Sequence, residues 1–453
     1  MALVINHNKA LSTSPLKTSA PLGAALAFMG MDGCMPLFHG SQGCTAFALV
    51  MMVRHFREAI PLQTTAMNEI STILGGSEQV AEALKNINKR AQPKLIGLVS
   101  TALTETRGED TRGDLNRIVA ANKDLPPVVY VPAPDFEGSL ETGWGKAVGA
   151  MIDAFAQPSS QPPLKRVNIL PGVHLTPGDI EALKEMVEDF GLEPVVLPDL
   201  SGSMDGHVPN AYVPTTLGGT SIEQVRGMGR AVLTIAIGEH MRISAEKLND
   251  KTGVPYELFD RVTGLEAVDR LMVVLSTAAG IPVPAKYRRQ RSQLVDAMLD
   301  GHFFFGGRSV AVAGEPALMW TYAKLMAEMG ANVVAAVTTL HTPLLSEVPA
   351  ERVIIGDFED VEDQILESGG ADLLIANANG RLLAGRHGIP LFRAGFPVFD
   401  RLGAAHLASV GYRGTRDLIF AIGNILMEHP SHGHGMHLAH SEHIHGDAPV
   451  AAG

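Results

Sequence analysis

The chain has 453 residues, 46% of them hydrophobic and 19% charged, with a formal net charge of -12; this length exceeds one compact core, and three domains are expected. The negative balance offers no basic footprint for DNA or RNA, so neither is an expected partner. Two cysteines cannot build a disulfide framework, the first residues lack the basic start and apolar core of a secretory signal, and the longest apolar run, TAFALVMMV, stops at Arg54 far short of a membrane span, so a cytoplasmic protein with no membrane partner is expected.

With 47 Gly and only 5% aromatic residues, the composition suits many short strands and helices joined by glycine turns, an α/β fold. Early in the chain, LFHGSQGCTAFALV (37–50) predicts a glycine-bracketed loop that opens a helix with Cys44 near its start. The continuous apolar runs KLIGLVST (94–101) and PVVYVP (127–132) read as buried parallel strands. QPSSQPPLK (157–165) carries no periodicity and marks a domain boundary. Beyond it, RVNILPG (166–172) and PVVLPD (194–199) flank a helix in TPGDIEALKEMVEDFGLEP. There Thr176 caps, Pro177 suits the first turn, Asp179 and Glu181 favour the positive end, and Gly191 stops the helix. A second unit of the same grammar runs through RSVAVAG (308–314), PALMWTYAKLMAEMG and NVVAAVTT (332–339), joined later by ERVIIGD and ADLLIANANG. The expected domains are therefore 1–160, 161–300 and 301–428. Residues 429–453 carry seven histidines (His429, His432, His434, His437, His440, His443 and His445) without a hydrophobic pattern, and a disordered tail is expected. Neutral imidazoles bind divalent metals, so metal collection is the sharper reading of that tail; a solvated tail without a role is the preferred one.

Chemistry concentrates at Gly40, Ser41, Gln42, Gly43 and Cys44. A thiolate at a helix amino end meets unpaired N–H groups and the positive end of the dipole, which makes it a better ligand for iron or zinc. One cysteine cannot hold an iron-sulfur cubane, which needs four thiolates or near substitutes, and on spacing alone a small buried hydrophobe at a tight turn is the commoner case. Cys34 has no CxxC partner and reads as structural. His39 and His55 invite a ligand role, yet a lone histidine beside an apolar helix is more often a satisfied donor. The run Lys286, Arg288, Arg289 and Arg291 fits a solvated helix start or a patch for an acidic partner. No Walker loop, GxGxxG after a strand, HExxH helix or GxSxG elbow is present, so the chain does not read as a free-standing enzyme.

Six segments carry a family likeness: SAPLGAALAFMG (19–30), PLFHGSQGCTAFALVMMVRHFREAIPLQTTAMNE (36–69), VSTALTETRGED (99–110), PDLSGSMDG (198–206), RQRSQLVDAMLDGHFF (289–304) and RAGFPVFDRLG (393–403). Together they resemble the nitrogenase component 1 family, and within it the branch on which the iron-molybdenum cofactor is assembled. In the β subunit of that family three cysteines contribute to an eight-iron cluster shared with the α subunit. Here Cys44 matches one of them, while Ser19 and Ala102 stand at the other two positions. Serine is a poor substitute in a reduced cluster and alanine has no donor atom, which argues against a full eight-iron cluster.

The resemblance implies three Rossmann-like αβα domains with mostly parallel sheets. It implies an α2β2 heterotetramer with NifE and a smaller [4Fe-4S] cluster shared with it through Cys44. It further implies docking of the nitrogenase iron protein NifH, delivery of the cofactor precursor by NifB, and a precursor held mainly through NifE. His39, Ser41 and Gly43 would surround the cluster and tune it by hydrogen bonding. The competing reading is a diverged β subunit of a nitrogenase-like reductase, which calls for cysteines where Ser19 and Ala102 stand. A metal-storage protein working through its histidine tail is a third, and it would not need Cys44.

Overall fold

The computed structural model describes residues 1–7, 9 and 12–430. Its strands form three sheets, each paired in parallel throughout. β1 (Leu3–Asn6) belongs to the third sheet. The first sheet holds β2 (Cys34–His39), β3 (Gln63–Thr64), β4 (Leu95–Ser100) and β5 (Val128–Val131) in the order β3-β2-β4-β5. The second holds β6 (Arg166–Leu170), β7 (Glu193–Val196), β8 (Leu233–Ile237) and β9 (Tyr256–Phe259) in the order β7-β6-β8-β9. The third joins β10 (Ser309–Gly314), β11 (Asn332–Thr338), β12 (Arg352–Ile355), β13 (Leu373–Ala376) and β14 (Leu391–Arg393) in the order β1-β12-β11-β10-β13-β14.

This is the expected α/β architecture, and its physical cause is the covering of both sheet faces by helices, which is why β2, β4 and β13 are buried along their whole length. The helix Pro177–Asp189 starts as its sequence requires: Thr176 Oγ1 accepts from the Asp179 N–H at 3.0 Å, and Asp179 returns the bond to the Thr176 N–H. Its carboxylate also takes the Ser409 and Val410 N–H groups at 2.6 and 3.2 Å, tying this helix to the segment before the last helix, Gly411–Glu428.

Two boundaries placed from sequence meet particular elements. Strand β1 pairs with β12, so the first residues join the third sheet. Residues 300 and 301 lie inside the helix Ala285–Phe305. At the start of that helix the basic run stays exposed and pairs along the surface: Lys286 with Asp189 at 2.7 Å, Arg291 with Asp269 at 2.8 Å, while Arg288 donates to the Val283 carbonyl at 2.6 Å. His432 to His445 fall outside the described residues. Among the described residues no helix is long and apolar enough to cross a membrane.

The three sheets meet at a buried polar knot. Glu141, 1% exposed, opens the helix Leu140–Phe155 that follows the first sheet. Its Oε1 accepts the Ala317 N–H at 2.8 Å, beyond β10, and its Oε2 lies 3.3 Å from Nδ1 of His240, beyond β8. The Val173 N–H donates to His240 Nε2 at 3.2 Å, which leaves the ring proton on Nδ1, facing Glu141. Burial opposes the Glu141 charge, but the facing His240 and the Ala317 N–H outweigh it and hold this carboxyl below its usual range. Glu315 sits beside it, bonded to Ser139, with its Oε1 sealed and unpartnered. Burial first, and then the Glu141 charge, push Glu315 up to about 8. Between its ordinary value near 4.5 and that level, the folded chain keeps a proton that the unfolded chain releases. Stability from this group is thus fully present below the lower value and is lost as pH rises toward the upper one. Urea unfolding at pH 5.5 and 8.5 should show a fall of at most about 1.4 kcal/mol per pH unit from this group, and a Glu315→Gln variant should remove that slope.

Candidate functional site

The glycine loop lies at the carboxyl edge of the first sheet. His39 ends β2, Ser100 ends β4, and the two are register partners, so the loops that leave them are neighbours. Gly40 is a point of contact: a Cβ there would come within 2.4 Å of Thr101 Oγ1 and 2.9 Å of Thr101 Cγ2. That hydroxyl donates to the His39 carbonyl at 2.9 Å. The absence of a side chain at Gly40 is therefore used by the neighbouring loop. At Gly43 the opposite holds, since a Cβ would meet only Ser41 Oγ at 3.9 Å.

Ser41 is the N-cap residue of the helix Gln42–Phe56, but no side chain caps that end, and the first N–H groups of a helix have no partner within it. Cys44 sits in this first turn, exposed, with Ser41 Oγ 3.5 Å from its sulfur. On the turns that follow, Phe47 and Val50 are 70% and 53% exposed, an apolar surface beside a thiol. His39 is buried and turned away from it: Nδ1 lies 3.1 Å from Thr65 Oγ1 and Nε2 lies 3.1 Å from Glu109 Oε2. Burial lowers the pKa of His39 despite the adjacent Glu109. Thr65 Oγ1 also accepts the Gly40 N–H at 3.1 Å, so His39 acts on the loop through Thr65 and its own carbonyl.

Cys34 does not join this site. It is buried at the start of β2, and five residues of strand, roughly 17 Å, separate it from the loop. Burial pushes its thiol well above the ordinary range. His55 is likewise a structural group on its Nδ1 side, which accepts the Val398 N–H at 2.9 Å.

The two other positions picked out by the family likeness fall on the same sheet edge. Ala102 begins the helix Ala102–Arg107 immediately after β4, and its N–H donates to Asp135 at 3.1 Å. Ser19 precedes the helix Ala20–Met29, which leads through a short turn into β2 and packs on β2 and β4; its amino end therefore returns to the carboxyl edge of those strands. That helix is fixed by a backbone crossing with Leu140–Phe155, where a Cβ on Gly23 would meet the Leu140 carbonyl at 2.0 Å and one on Gly143 the Ala20 carbonyl at 1.8 Å.

Three helix amino ends thus share one edge and present a hydroxyl, a thiol and a methyl. Among the described residues, no group of three or more His, Cys, Asp or Glu side chains is placed to hold a metal ion. The donor set fits one corner of an iron-sulfur cluster and no more. Thr65, Glu109 and Asp135 were not singled out from sequence; Thr65 and Glu109 do lie within the segments LQTTAMNE and TETRGED.

Replacing Gly40 by Ala should drive the loop from Thr101 and destabilise the protein by about 1–3 kcal/mol. Gly43→Ala, in open space within the first helical turn, should be neutral or stabilising by up to about 1 kcal/mol. Guanidinium midpoints of the two variants check both.

Comparison with known proteins gives consistent findings. Residues 19–427 match the family described as Nitrogenase component 1 type Oxidoreductase. The chain is 51% identical to the nitrogenase iron-molybdenum cofactor biosynthesis protein NifN of Bradyrhizobium diazoefficiens, over 95% of this chain and 92% of that one. It is 37% identical to the protein of the same name from Klebsiella pneumoniae, over 95% of each. A solved structure titled Nitrogenase Cp1 at pH 6.5 superimposes with a TM-score of 0.87 at 31% identity, covering 93% of this chain and 94% of that one.

Proposed function

This chain belongs to the nitrogenase component 1 family, and from that premise we propose that it is a scaffold subunit on which the iron-molybdenum cofactor precursor is matured, paired with NifE in a cytoplasmic α2β2 heterotetramer. Its relatives are named as biosynthesis proteins of that cofactor, which supports an assembly role in nitrogen fixation. The observation that carries the finer reading is Cys44, one exposed thiol at an uncapped helix amino end. A single thiolate at an open edge is useful only if a second chain completes the set.

In this reading Cys44 supplies one ligand of a [4Fe-4S] cluster and NifE supplies three. When bound, such a cluster supplies one-electron transfer. The apolar turns carrying Phe47 and Val50 then face the partner. Ser41 stands within reach of the ligating sulfur, Gly43 leaves space beside it, and His39 holds the loop through Thr65. The precursor arrives from NifB and rests mainly on NifE, NifH docks over the shared cluster, and this chain contributes no catalytic side chain. The division at 1–160, 161–300 and 301–428, with a solvated tail at 429–453, is part of the same proposal.

A diverged β subunit of a nitrogenase-like reductase is the second reading, favoured by the structural likeness to a nitrogenase chain. It calls for thiolates at positions 19 and 102, where a hydroxyl and a methyl stand. Anaerobic co-expression with NifE, followed by iron analysis and electron paramagnetic resonance, tests the proposal. Cys44→Ala should lose most of the [4Fe-4S] signal while the heterotetramer survives gel filtration. Full retention of iron and spectrum would remove Cys44 from the site.

A further inference from the structure

The helix that carries Cys44 at one end reaches a cavity at the other. About 16 Å of helix separates Cys44 from His55 at 1.5 Å per residue, and His55 lines a cavity of about 170 Å3. Its walls combine helix side chains with the loops that leave the carboxyl ends of β6, β9 and β14, the edge at which open parallel sheets receive ligands. Close-packed interiors seldom keep such a void, and a dry engineered cavity of about 150 Å3 takes up benzene.

Most of the lining is apolar, with Phe392 and Phe396 among its aromatic walls. Among the described residues, His55 Nε2, the Tyr322 hydroxyl and His174 Nδ1 line the cavity without a hydrogen-bond partner, and burial together with the neighbouring His240 keeps the His174 ring neutral down to about 3. His55 Nδ1 accepts the Val398 N–H, so the ring is neutral and its proton sits on Nε2, for which the structure offers no acceptor; burial keeps the ring neutral down to about 4. Tyr322 also lines the cavity and is 8% exposed, and its hydroxyl has no hydrogen bond, while its ring packs on Phe392 with centroids 6.0 Å apart. The charged groups in the wall are already satisfied. Arg393 is held by Asp400 at 2.9 and 3.1 Å, and Asp179 by the Ser409 and Val410 N–H groups. Asp417 is paired with Arg416 at 2.7 Å, so among the described residues neither an anion nor a cation finds a free counter-charge in the wall.

We propose that this cavity is a binding site for a small neutral molecule with an aromatic or alicyclic ring and a carbonyl group, the ring seated among the phenylalanines and the oxygen accepting from His55 Nε2–H and Tyr322 O–H. A carbonyl oxygen has two lone pairs for two such donors. The site is separate from the cluster edge and does not depend on the assembly reading.

The test uses the full chain purified anaerobically with its co-expressed partner, titrated by calorimetry with acetophenone and with ethylbenzene, which matches it in size without the oxygen. Acetophenone should bind once per chain, about a hundredfold more tightly than ethylbenzene, the ratio expected for two net hydrogen bonds. Tyr322→Phe should cut that preference to about tenfold and leave ethylbenzene unchanged. Ala408→Phe, which fills space at a lining position, should abolish binding of both. Binding of neither probe to the wild type would mean a water-filled space and overturn the proposal. Equal affinities, a preference undiminished by Tyr322→Phe, or binding that survives Ala408→Phe would overturn it as well. The cluster spectrum, recorded on the same samples, reports separately on Cys44.

Discussion

A buried carboxylate with partners from two other parts of the chain holds this architecture in register. Glu141 is placed by the first sheet, faced by a histidine from the second and bonded by a backbone N–H from the third. Each of those partners follows a strand, so the knot fixes where the strands end relative to one another. An ionised carboxylate out of water is costly unless its lone pairs are met. Removing His240 or shifting the Ala317 N–H would leave that cost uncompensated, which makes the junction specific: an apolar cluster could slide by a side chain, whereas this contact has one geometry. Trp144, one turn further along the same helix, donates its indole N–H to the Pro171 carbonyl at 2.8 Å, so this helix end carries a directional link to the second sheet beside the 3.3 Å approach of His240 to Glu141.

From that junction the two candidate sites follow as opposite consequences. The loops leaving β6, β9 and β14 face one another and enclose space. The first sheet turns its own carboxyl edge outward, because the helix Leu140–Phe155 is locked backbone to backbone against Ala20–Met29 at Gly23 and Gly143. A side chain at either glycine would force those helices apart by a distance comparable to a methyl group, and the helix amino end behind Ser19 would leave the edge. The helix Gln42–Phe56 spans both environments, with its start exposed at Cys44 and its end buried at Phe56. It is the physical link between an outer edge and an inner cavity.

The buried strands were legible because parallel strands covered on both faces must be continuously apolar. KLIGLVST, RVNILPG, RSVAVAG and NVVAAVTT are strands for that reason, and TPGDIEALKEMVED is a helix because Thr176 and Asp179 form a reciprocal cap that sequence spacing alone announces. Short strands escaped notice. LVIN at 3–6 acquires its identity only by pairing with residues 352–355, and QT at 63–64 is too brief to show any period. At the site, the thiol and its glycines were visible as a motif, but the directions were not. Nothing in HGSQGC states that His39 turns inward to Thr65 and Glu109, or that Gly40 is bare for Thr101 while Gly43 faces open space. Those are contacts between segments 25 to 70 positions apart, and local pattern carries no record of them. The polar knot was invisible for the same reason, since Glu141, His240 and Glu315 look like ordinary surface residues in sequence.

A single exposed thiol is an unstable thing for a chain to keep, open to oxidation and of no use to a metal by itself. The proposed half-site would give it a use, and its surroundings suit that proposal. The helix amino ends at Ser41 and at Ser19 both lack a capping side chain, whereas the one at Ala102 is closed by Asp135. Ser41 instead directs its hydroxyl toward the sulfur at 3.5 Å. The fold leaves a thiol and uncapped donors facing outward next to exposed Phe47 and Val50, and in the proposed assembly a partner surface would bring both apolar contact and further ligands to them.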